Sequence, residues 1–589
     1  MVPNKKSIMV SSLLKCVRYF LLLGACLSIV ACGGGGGGGS KPTPVSSQPA
    51  SLVQSSFSVS SANESSSREF SSVNSSLVTS SISSLVNLTG QVTYDFVPHG
   101  SGSNGSGLDY SSIITKPGRG LAVELLDANN LVLAATATDV LGNYSFAVDF
   151  NRAVKVRVKA QLLNTQSPTW NFKVTDNTKE NSLYVMEGSL VDATDATAIR
   201  NLHAPSGWSG SSYSQPRVAA PFAILDSVYE GITRVSLVNT SLTFSPLALR
   251  WCVNNKPAEG SSSLGEIGTS FYDGSGIYIL GDENNDTDEY DRHVILHEWG
   301  HYLEHEFSRS DSIGGDHAYG ERMDLRVAMS EGFANAFSAM MLDDPEYRDT
   351  SGAQQNDGFT NNVSHKFHTV RGWYSEASIQ SVLYNFYTSG EGKIARDFND
   401  IFKVIHSPTY SSNPALISIY VFADELRTYF PEHASSFNLL LRGQNIAEAS
   451  NAFGAGEVDS GGYPGNLPIY KMLPVTNTLI NVCSTNNFGT YNKLGVSRFM
   501  LLDILSAGTY KINVQESSID SGDSDPDIYL FDHGERIAFA ESADVDHEEL
   551  SHTLSAGTYV LELVDDRARS GDSIGDINAC FDVSAQRIN

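Results

Sequence analysis

The sequence is poor in cysteine and in basic residues, and both shortages limit what the chain can be. Its 589 residues include 6 cysteines, and no two of them form a Cys-x-x-Cys pair, which argues against a zinc site made of thiolates. Lysine and arginine total 39 against 66 aspartates and glutamates, giving a net charge of -27. Because phosphate recognition needs clustered basic side chains, we expect no nucleic-acid partner.

The N-terminus lacks an apolar run long enough to anchor the chain in a membrane. Residues 19–31 are apolar and follow a start that contains lysine, a pattern typical of an export signal. The run ends in Ile-Val-Ala-Cys at 29–32, which resembles a bacterial lipoprotein signal. This resemblance implies a signal peptide over 1–31 and a lipid on Cys32; an ordinary secretory signal is the alternative. We expect an exported protein of the bacterial cell envelope, either an outer-membrane lipoprotein or a surface or secreted protein.

Two segments follow the signal. Residues 32–85 begin with seven consecutive glycines and continue as serine-rich sequence. Such a composition buries too little apolar surface to offset the entropy of ordering, so it predicts a disordered linker. Residues 86–190 contain short alternating strands separated by turn residues, which predicts a β-sandwich. The run Gly-Asn-Tyr-Ser-Phe at 142–146 resembles a turn of carboxypeptidase-regulatory-like domains, and this implies a spacer or adhesion module.

The rest of the chain divides into a mixed α+β segment, 191–475, and a β-rich segment, 476–589. In the mixed segment, 217–237 and 292–307 show helical spacing, and strands are predicted at 270–272 and 276–280.

The β-rich segment carries two Ala-Gly-Thr-Tyr strands, at 507–510 and 556–559, around Asp-Pro-Asp-Ile-Tyr-Leu-Phe at 525–531. This pattern resembles the bacterial pre-peptidase C-terminal domain, a sandwich appended to secreted proteases. Cys483 and Cys580 flank the segment, and disulfides persist outside the cytoplasm, so we predict a bond between them. Cys252 is then left as a buried free thiol.

The chemistry of the chain centres on His297, Glu298 and His301, which form a His-Glu-x-x-His motif. On a helix the two histidines are four residues apart and face the same side, so they can share a metal ion. Glu298 can then reach a water molecule beside that ion. The flanking residues 294–296 and 302–303 are apolar, which predicts a buried helix. A core helix with two satisfied histidines is the alternative, but it leaves Glu298 unexplained.

The third ligand decides the class of site. A metzincin needs glycine and histidine where this chain has Glu304 and Phe307. His305 is one turn further along the helix, which would spread three ligands over about 12 Å, too far for one ion. Glu331 offers an anionic ligand, and we expect it to open a second helix whose first turn faces the motif.

A His-Glu-x-x-His motif with a glutamate on a downstream helix resembles the gluzincin superfamily of zinc peptidases. The resemblance implies that His297, His301 and Glu331 bind one catalytic Zn²⁺. It also implies that Glu298 accepts a proton from the attacking water and delivers it to the leaving amine. Asn335 stands where thermolysin-like enzymes carry an aspartate that orients a zinc-bound histidine, and an asparagine there adds no charge.

A peptidase also needs a hydrogen-bond donor for the oxyanion that forms during hydrolysis. Matching Ala-Ser-Ile at 377–379 to the thermolysin-like pattern places Tyr374 at the donor position, so we predict a catalytic role for it. Packing of Tyr374 at a helix start is an equal alternative. Arg371 and His368 remain open as other donors. His317 and Tyr319, from the loop between the ligand helices, could line the cleft instead.

Two acidic segments are candidate calcium sites. Residues 282–287 begin like an EF-hand loop, but the sixth position lacks glycine and His293 replaces the final glutamate. The other segment lies in the C-terminal sandwich and contains Asp520, Asp523, Asp525 and Asp527. Solvated loops explain both segments at least as well.

These observations predict a multidomain protein with an α+β zincin-like catalytic domain flanked by two all-β sandwich domains. The expected function is zinc-dependent hydrolysis of peptide bonds in proteins or peptides outside the cytoplasm, by a protein held to the membrane through its lipid. The alternative is a surface-anchored binding or adhesion protein whose zincin domain is catalytically silent.

Overall fold

The computed structural model describes residues 84–101, 105–519, 523–543, 545–570 and 577–589. The predicted signal peptide, Cys32 and the linker up to residue 83 lie outside these residues and stay predictions, as does the Asp520 end of the second calcium segment. None of the helices in the described part of the chain is long and apolar enough to cross a bilayer. The described chain is multidomain, with mixed α and β structure and several β-sheets.

The N-terminal part is built of strands, as its alternating pattern predicts. In the first strand, Leu88, Val92 and Tyr94 point into the core while residues between them face outward. The strands are β1 (Leu85–Phe96), β2 (His99–Ser101), β3 (Gly107–Leu108), β4 (Ile114–Pro117), β5 (Leu121–Asp127), β6 (Val132–Ala137), β7 (Asn143–Asp149), β8 (Ala153–Asn164), β9 (Trp170–Asp176), β10 (Ser182–Leu183), β11 (Val185–Glu187), β12 (Val191–Asp192) and β13 (Leu202–Ala204).

The larger N-terminal sheet continues into the mixed segment. Its strand order is β15-β16-β14-β9-β8-β5-β6, where the new strands are β14 (Leu247–Trp251), β15 (Phe271–Tyr272) and β16 (Gly276–Ile279). Strand β14 pairs in parallel with β9, and Leu247 lies opposite Phe172. The predicted division at 190 therefore falls between strands of one sheet, and a shared hydrophobic core extends to both sides of it.

The predicted helices at 217–237 and 292–307 are confirmed as α1 (Ala220–Val238) and α2 (Arg292–Phe307), and the strands predicted near 271 and 277 are β15 and β16. The other elements of this region are β17 (Gly281–Asp282), β18 (Asp286–Thr287), α3 (Leu325–Leu342), β19 (Glu346–Ser351), β20 (Asp357–Asn362), α4 (Glu376–Ser389), a π-helical turn (Ile394–Phe398), α5 (Asn399–Ile405), α6 (Pro408–Ser411), α7 (Ile419–Tyr429) and α8 (Ala434–Gly443).

The expectation that Glu331 opens its helix is wrong. Helix α3 starts at Leu325, and the Asp324 side chain caps it by accepting a hydrogen bond from the Arg326 N–H at 2.9 Å. Glu331 therefore sits in the second turn, inside a helix that is buried along almost its whole length. This rigid interior position fixes the direction of its carboxylate.

The C-terminal part is a β-sandwich with its own hydrophobic core. One sheet has the order β21-β23-β28-β25-β26 and the other β22-β29-β24-β27. The elements are β21 (Tyr470–Met472), β22 (Ile480–Thr485), β23 (Arg498–Ile504), β24 (Gly508–Ile519), β25 (Pro526–Asp532), β26 (Glu535–Ala540), β27 (His547–Leu554), β28 (Gly557–Asp565), α9 (Asp566–Ser570) and β29 (Asn578–Arg587).

Both cysteine predictions are confirmed. Cys483 on β22 lies directly opposite Cys580 on β29, and the two form a disulfide. Cys252 is a free, buried thiol. The disulfide joins neighbouring strands near the two ends of the sandwich sequence, so it closes the module covalently.

Candidate metal centre

Helix α2 carries the two histidines of the motif into the protein interior. Its apolar residues, among them Leu296, Trp299 and Leu303, are fully buried and fix the helix in the core. His297 and His301 are one turn apart on the same face, and their Nε2 atoms are 3.1 Å from each other. Two imidazole nitrogens this close to each other can act as ligands of one cation.

Glu331 brings a carboxylate oxygen to the same point from α3. Its Oε2 is 3.1 Å from His297 Nε2 and 3.4 Å from His301 Nε2. Zinc bonds of about 2.0–2.1 Å place neighbouring ligand atoms of a tetrahedron about 3.3 Å apart. The three donor atoms therefore form one face of a tetrahedron of the size that zinc requires. We call these three residues the His-Glu cluster.

Two glycines allow the helices to come this close. A Cβ atom at Gly332 on α3 would lie 2.4 Å from Ile379 Cβ and 2.9 Å from the Glu376 carbonyl oxygen, both on α4. A Cβ atom at Gly300 on α2 would meet the Phe337 ring at 3.1 Å, a milder crowding. Glycine after Glu331 is therefore a packing requirement of the α3–α4 contact, which holds the glutamate in place.

The other nitrogen of His297 is held by Asn335. Nδ1 donates to the Asn335 side-chain oxygen at 2.8 Å, because an amide oxygen can only accept. The proton on Nδ1 leaves Nε2 with its lone pair free for a metal ion, and the hydrogen bond fixes the plane of the ring. Asn335 thus occupies the position from which it can orient a ligand.

His301 is oriented by Ser330 and Glu304, two residues for which the sequence analysis predicted no such role. The Ser330 hydroxyl donates to Glu304 Oε2 at 2.8 Å, and the Ser330 oxygen accepts from His301 Nδ1 at 3.2 Å. Glu304 Oε2 is itself 3.6 Å from that nitrogen. The available signals were the position of Glu304 three residues after His301 and that of Ser330 next to Glu331.

Glu298 lies near the His-Glu cluster, since the charges of His301 and Glu331 both act on its pKa. The residue is 0% exposed, and neither carboxylate oxygen receives a hydrogen bond by geometric criteria from any described residue. Burial raises the pKa of Glu298 to about 8, against the opposing charge of His301. A buried carboxyl group without a hydrogen-bond donor destabilises the fold, and such groups are found mainly at functional sites.

His317 and Glu376 complete the charged groups at the centre. His317 Nε2 is 3.4 Å from Glu331 Oε2 and 3.5 Å from Glu376 Oε2, and it has no hydrogen-bond partner among the described residues. Burial acts to lower the pKa of His317, but the Glu331 and Glu376 carboxylates outweigh it and raise that pKa. Burial also raises the pKa of Glu376. The sequence analysis predicted only that His317 could line the cleft, and it predicted no role for Glu376.

Tyr374 makes its contacts elsewhere. Its hydroxyl donates to the Arg371 carbonyl oxygen at 2.9 Å and to Asp459 Oδ1 at 3.1 Å. Among the other candidate donors, the Tyr319 hydroxyl is 2.8 Å from His368 Nδ1. The cavity beside His297 is lined by His317, Tyr319, Asn335, Tyr347, Phe359, Asn361 and Glu376. His317 and Tyr319 therefore line the cavity beside His297. Tyr374 does not line it and lies just before the start of α4.

His305 is exposed, and its Nδ1 lies 3.1 Å from the Tyr272 hydroxyl. In the described residues, two sets of side chains are arranged so that they could hold a metal ion. One is the His-Glu cluster, and the other consists of Asp286, Asp288 and Asp349. The first combines nitrogen and oxygen donors, and the second has oxygen donors alone.

Comparison with known proteins relates the region of the motif to peptidases. Residues 256–446 match the mycolysin C-terminal domain family. This range, about a third of the chain, contains the motif, Glu331 and Asn335. It points to a peptidase family and to a protein related to zinc metallopeptidases. No curated protein matches the chain.

Two solved structures are similar to parts of the chain. One is the pre-peptidase C-terminal domain of a collagenase from Bacillus anthracis, at 16% identity over 20% of this chain and 94% of that chain, with a TM-score of 0.15. The other is a periplasmic inhibitor of g-type lysozyme from Aeromonas hydrophila, at 19% identity over 20% of this chain and 97% of that chain, with a TM-score of 0.14. TM-scores this low do not support any conclusion about fold or function from these two structures.

Proposed function

We propose that this chain is a zinc metallopeptidase of the gluzincin type that hydrolyses peptide bonds in proteins or peptides outside the cytoplasm. The observation that carries the proposal is the triangle of His297 Nε2, His301 Nε2 and Glu331 Oε2, whose sides are 3.1, 3.1 and 3.4 Å. The match of residues 256–446 to a peptidase family supports it. A merely structural role for these buried groups would not require the free carboxylate of Glu298 beside them.

The donors fit zinc better than a harder cation. Two imidazoles and one carboxylate are the ligand set of catalytic zinc sites that keep a fourth position open. Zinc, when bound, acts as a Lewis acid that polarises the scissile carbonyl group and makes a water molecule acidic. Asn335 and Ser330 hold the two imidazoles with their Nε2 lone pairs directed to the centre.

Glu298 is the general base of this proposal. It is next to His297 in the chain and lies on the same buried helix turn. Neither of its oxygens accepts a well-formed hydrogen bond from a described residue, although the Tyr272 backbone lies near enough to lower its pKa. It takes the proton from the attacking water and transfers it to the nitrogen of the leaving amine. A glutamine at this position keeps the shape of the side chain but cannot accept that proton.

The oxyanion donor has two candidates. Tyr374, assigned from the sequence, stays a prediction and would have to release its hydrogen bonds to Arg371 and Asp459. His317 is favoured by a specific observation, because its Nε2 lies 3.4 Å from the Glu331 ligand oxygen and lacks a hydrogen-bond partner among the described residues. A donor at this position lies beside the proposed metal position, where the oxyanion would form.

The remaining segments serve export and placement. We propose that the chain is lipidated at Cys32 and held at the outer membrane or cell surface by its linker. The β modules on both sides of the catalytic domain act as spacers or as substrate-docking units. A silent zincin domain in a binding or adhesion protein is the competing function.

The experiment compares wild type with Glu298→Gln, measuring bound zinc and digestion of casein. Glu306→Gln, on the exposed end of the same helix, is the matched control. We expect zinc in all three proteins and a loss of cleavage of about 10³-fold in Glu298→Gln alone. Zinc with no cleavage in wild type would support the silent domain, and a folded wild type that binds no zinc would contradict the proposal.

The donor is tested in the same assay with His317→Ala and Tyr374→Phe. If His317 stabilises the oxyanion, His317→Ala lowers kcat by about 10²-fold and leaves KM nearly unchanged, while Tyr374→Phe retains activity. The opposite pattern would assign the role to Tyr374. Zinc content is measured in both variants, so that loss of the metal is not mistaken for loss of the donor.

A further inference from the structure

A second cluster of potential ligands lies just before α2. Asp286 on β18, Asp288 after it and Asp349 on β19 place one carboxylate oxygen each within 4.8 Å of the others. We call these residues the aspartate cluster. Asp288 is 1% exposed; its Oδ2 accepts from the Ser270 hydroxyl, and its Oδ1 has no hydrogen-bond partner in the described part of the chain. Asp286 Oδ1 also lacks such a partner while both groups are ionised, and the two carboxyl groups can hydrogen-bond to each other only when one of them carries a proton.

The positive charges nearby are already committed to other acids. Arg217 pairs with Glu289 at 2.8 Å, and His99 Nε2 contacts Asp291 at 2.7 Å. Asp291 also accepts hydrogen bonds from the backbone and side chain of Thr350. Among the ion pairs of the described residues, none involves Asp286 or Asp288. Burial, and after it the neighbouring Asp286 and Asp349 carboxylates, raise the pKa of Asp288 far above its usual value.

The three aspartates join two elements that border the candidate active site. Asp286 and Asp288 lie in the segment that leads into α2, and Asp349 lies in the hairpin β19–β20. The same hairpin carries Tyr347 and Phe359, which line the cavity beside His297. A cation between the two elements would therefore hold one wall of that cavity in place.

We propose that Asp286, Asp288 and Asp349 bind a calcium ion that ties the hairpin β19–β20 to the segment before α2. Oxygen donors without nitrogen or sulfur select a hard cation. Calcium fits better than magnesium, because magnesium keeps several of its waters while the buried Asp288 leaves little room for them. A group of acidic residues alone would not indicate a metal site. The additional observation is that Asp288 Oδ1 is buried without a hydrogen-bond partner in the described part of the chain. This site is independent of peptidase activity.

The test uses the full chain, freed of metal ions by EGTA, dialysed to remove the chelator, reloaded with one equivalent of Zn²⁺ and then titrated with Ca²⁺ in a calorimeter. The variant is Asp288→Asn, and the control is Asp357→Asn, which removes an exposed carboxylate from the same hairpin. We expect wild type and Asp357→Asn to bind one more equivalent of Ca²⁺ than Asp288→Asn. Comparing variants separates this site from any calcium bound by the C-terminal sandwich.

Two further readouts keep the proposal falsifiable. Calcium should raise the Tm and slow hydrogen exchange of the 346–362 amides in wild type, but not in Asp288→Asn. If Asp288→Asn fails to fold, Asp349→Asn takes its place, and the wild-type exchange data stand by themselves. Equal stoichiometry in wild type and variant, or exchange at 346–362 that ignores calcium, would overturn the proposal. Binding of Mg²⁺ in preference to Ca²⁺ would overturn the assignment of the ion.

Discussion

The His-Glu cluster has its histidines on α2, and the aspartate cluster has two of its carboxylates just before that helix. The pKa values of the buried carboxyl groups in the two clusters shift in opposite directions. Burial alone would raise the pKa of Glu331, but His317 and His301 lower it well below the usual value. Around Asp288 the neighbouring groups are carboxylates, and its pKa moves far upward instead. A buried carboxylate surrounded by imidazoles can therefore stay ionised without a metal ion. A buried carboxylate among other carboxylates needs a bound cation or a proton.

The largest predicted effect comes from Glu331→Gln. Removing the anionic ligand takes the third donor from the metal and leaves the imidazoles without their counter-charge, so bound zinc and casein cleavage should both fall to background. Calcium binding should be unchanged, because the aspartate cluster is intact. Metal content after dialysis checks both ions. If the variant keeps stoichiometric zinc, Glu331 is not a ligand and the comparison fails.

Asn335→Ala should have a smaller effect. Losing the hydrogen bond to His297 Nδ1 frees the ring to turn and is expected to weaken zinc binding by about 10–100-fold. Asn335→Asp restores an acceptor and adds a negative charge, so it should bind zinc at least as tightly as wild type. Competition with a coloured chelator gives the affinities. An alanine variant with unaltered affinity would show that Asn335 does not orient His297.

Gly332→Ala tests the packing that positions Glu331. The added methyl group meets Ile379 and the Glu376 carbonyl, so α3 and α4 must separate, at a cost of about 1–3 kcal/mol in unfolding free energy. Gly300→Ala is the matched control and should cost less, since its nearest contact is the Phe337 ring at 3.1 Å. Urea unfolding measures both. Equal stability of the two variants would contradict this order.

The smallest effect is expected for His305→Ala. This histidine follows the motif by one turn but is exposed and contacts only the Tyr272 hydroxyl among the hydrogen bonds described. Zinc content and activity should stay within error of wild type. A loss of zinc would mean that the motif extends further along α2 than the His-Glu cluster.

Local spacing carried much of the sequence-based prediction. The i, i+4 histidines, the apolar residues around them and the alternating strands encode α2 and the two β-rich parts directly, because neighbours in a helix or strand share a face. The position of Asn335 one turn after Glu331 belongs to the same kind of signal. The disulfide between Cys483 and Cys580 followed from cell compartment and from the module that the two cysteines flank.

The rest depends on contacts between distant segments. His317 reaches the centre from the irregular loop between α2 and α3, and Asp349 joins the aspartate cluster from a separate hairpin, so no periodicity marks either residue. The start of α3 was misplaced because Asp324 caps the helix about two turns before Glu331. The larger sheet crosses the predicted division at 190 through the pairing of β9 with β14. The local sequence of neither strand indicates this pairing.

The central claim is that zinc is held by His297, His301 and Glu331, and anomalous X-ray diffraction tests it most directly. Crystals grown with zinc and measured on both sides of its absorption edge should show a strong peak between the three donor atoms and none at the aspartate cluster. Absence of the peak at the His-Glu cluster, or a zinc peak held by the aspartates alone, would contradict the account.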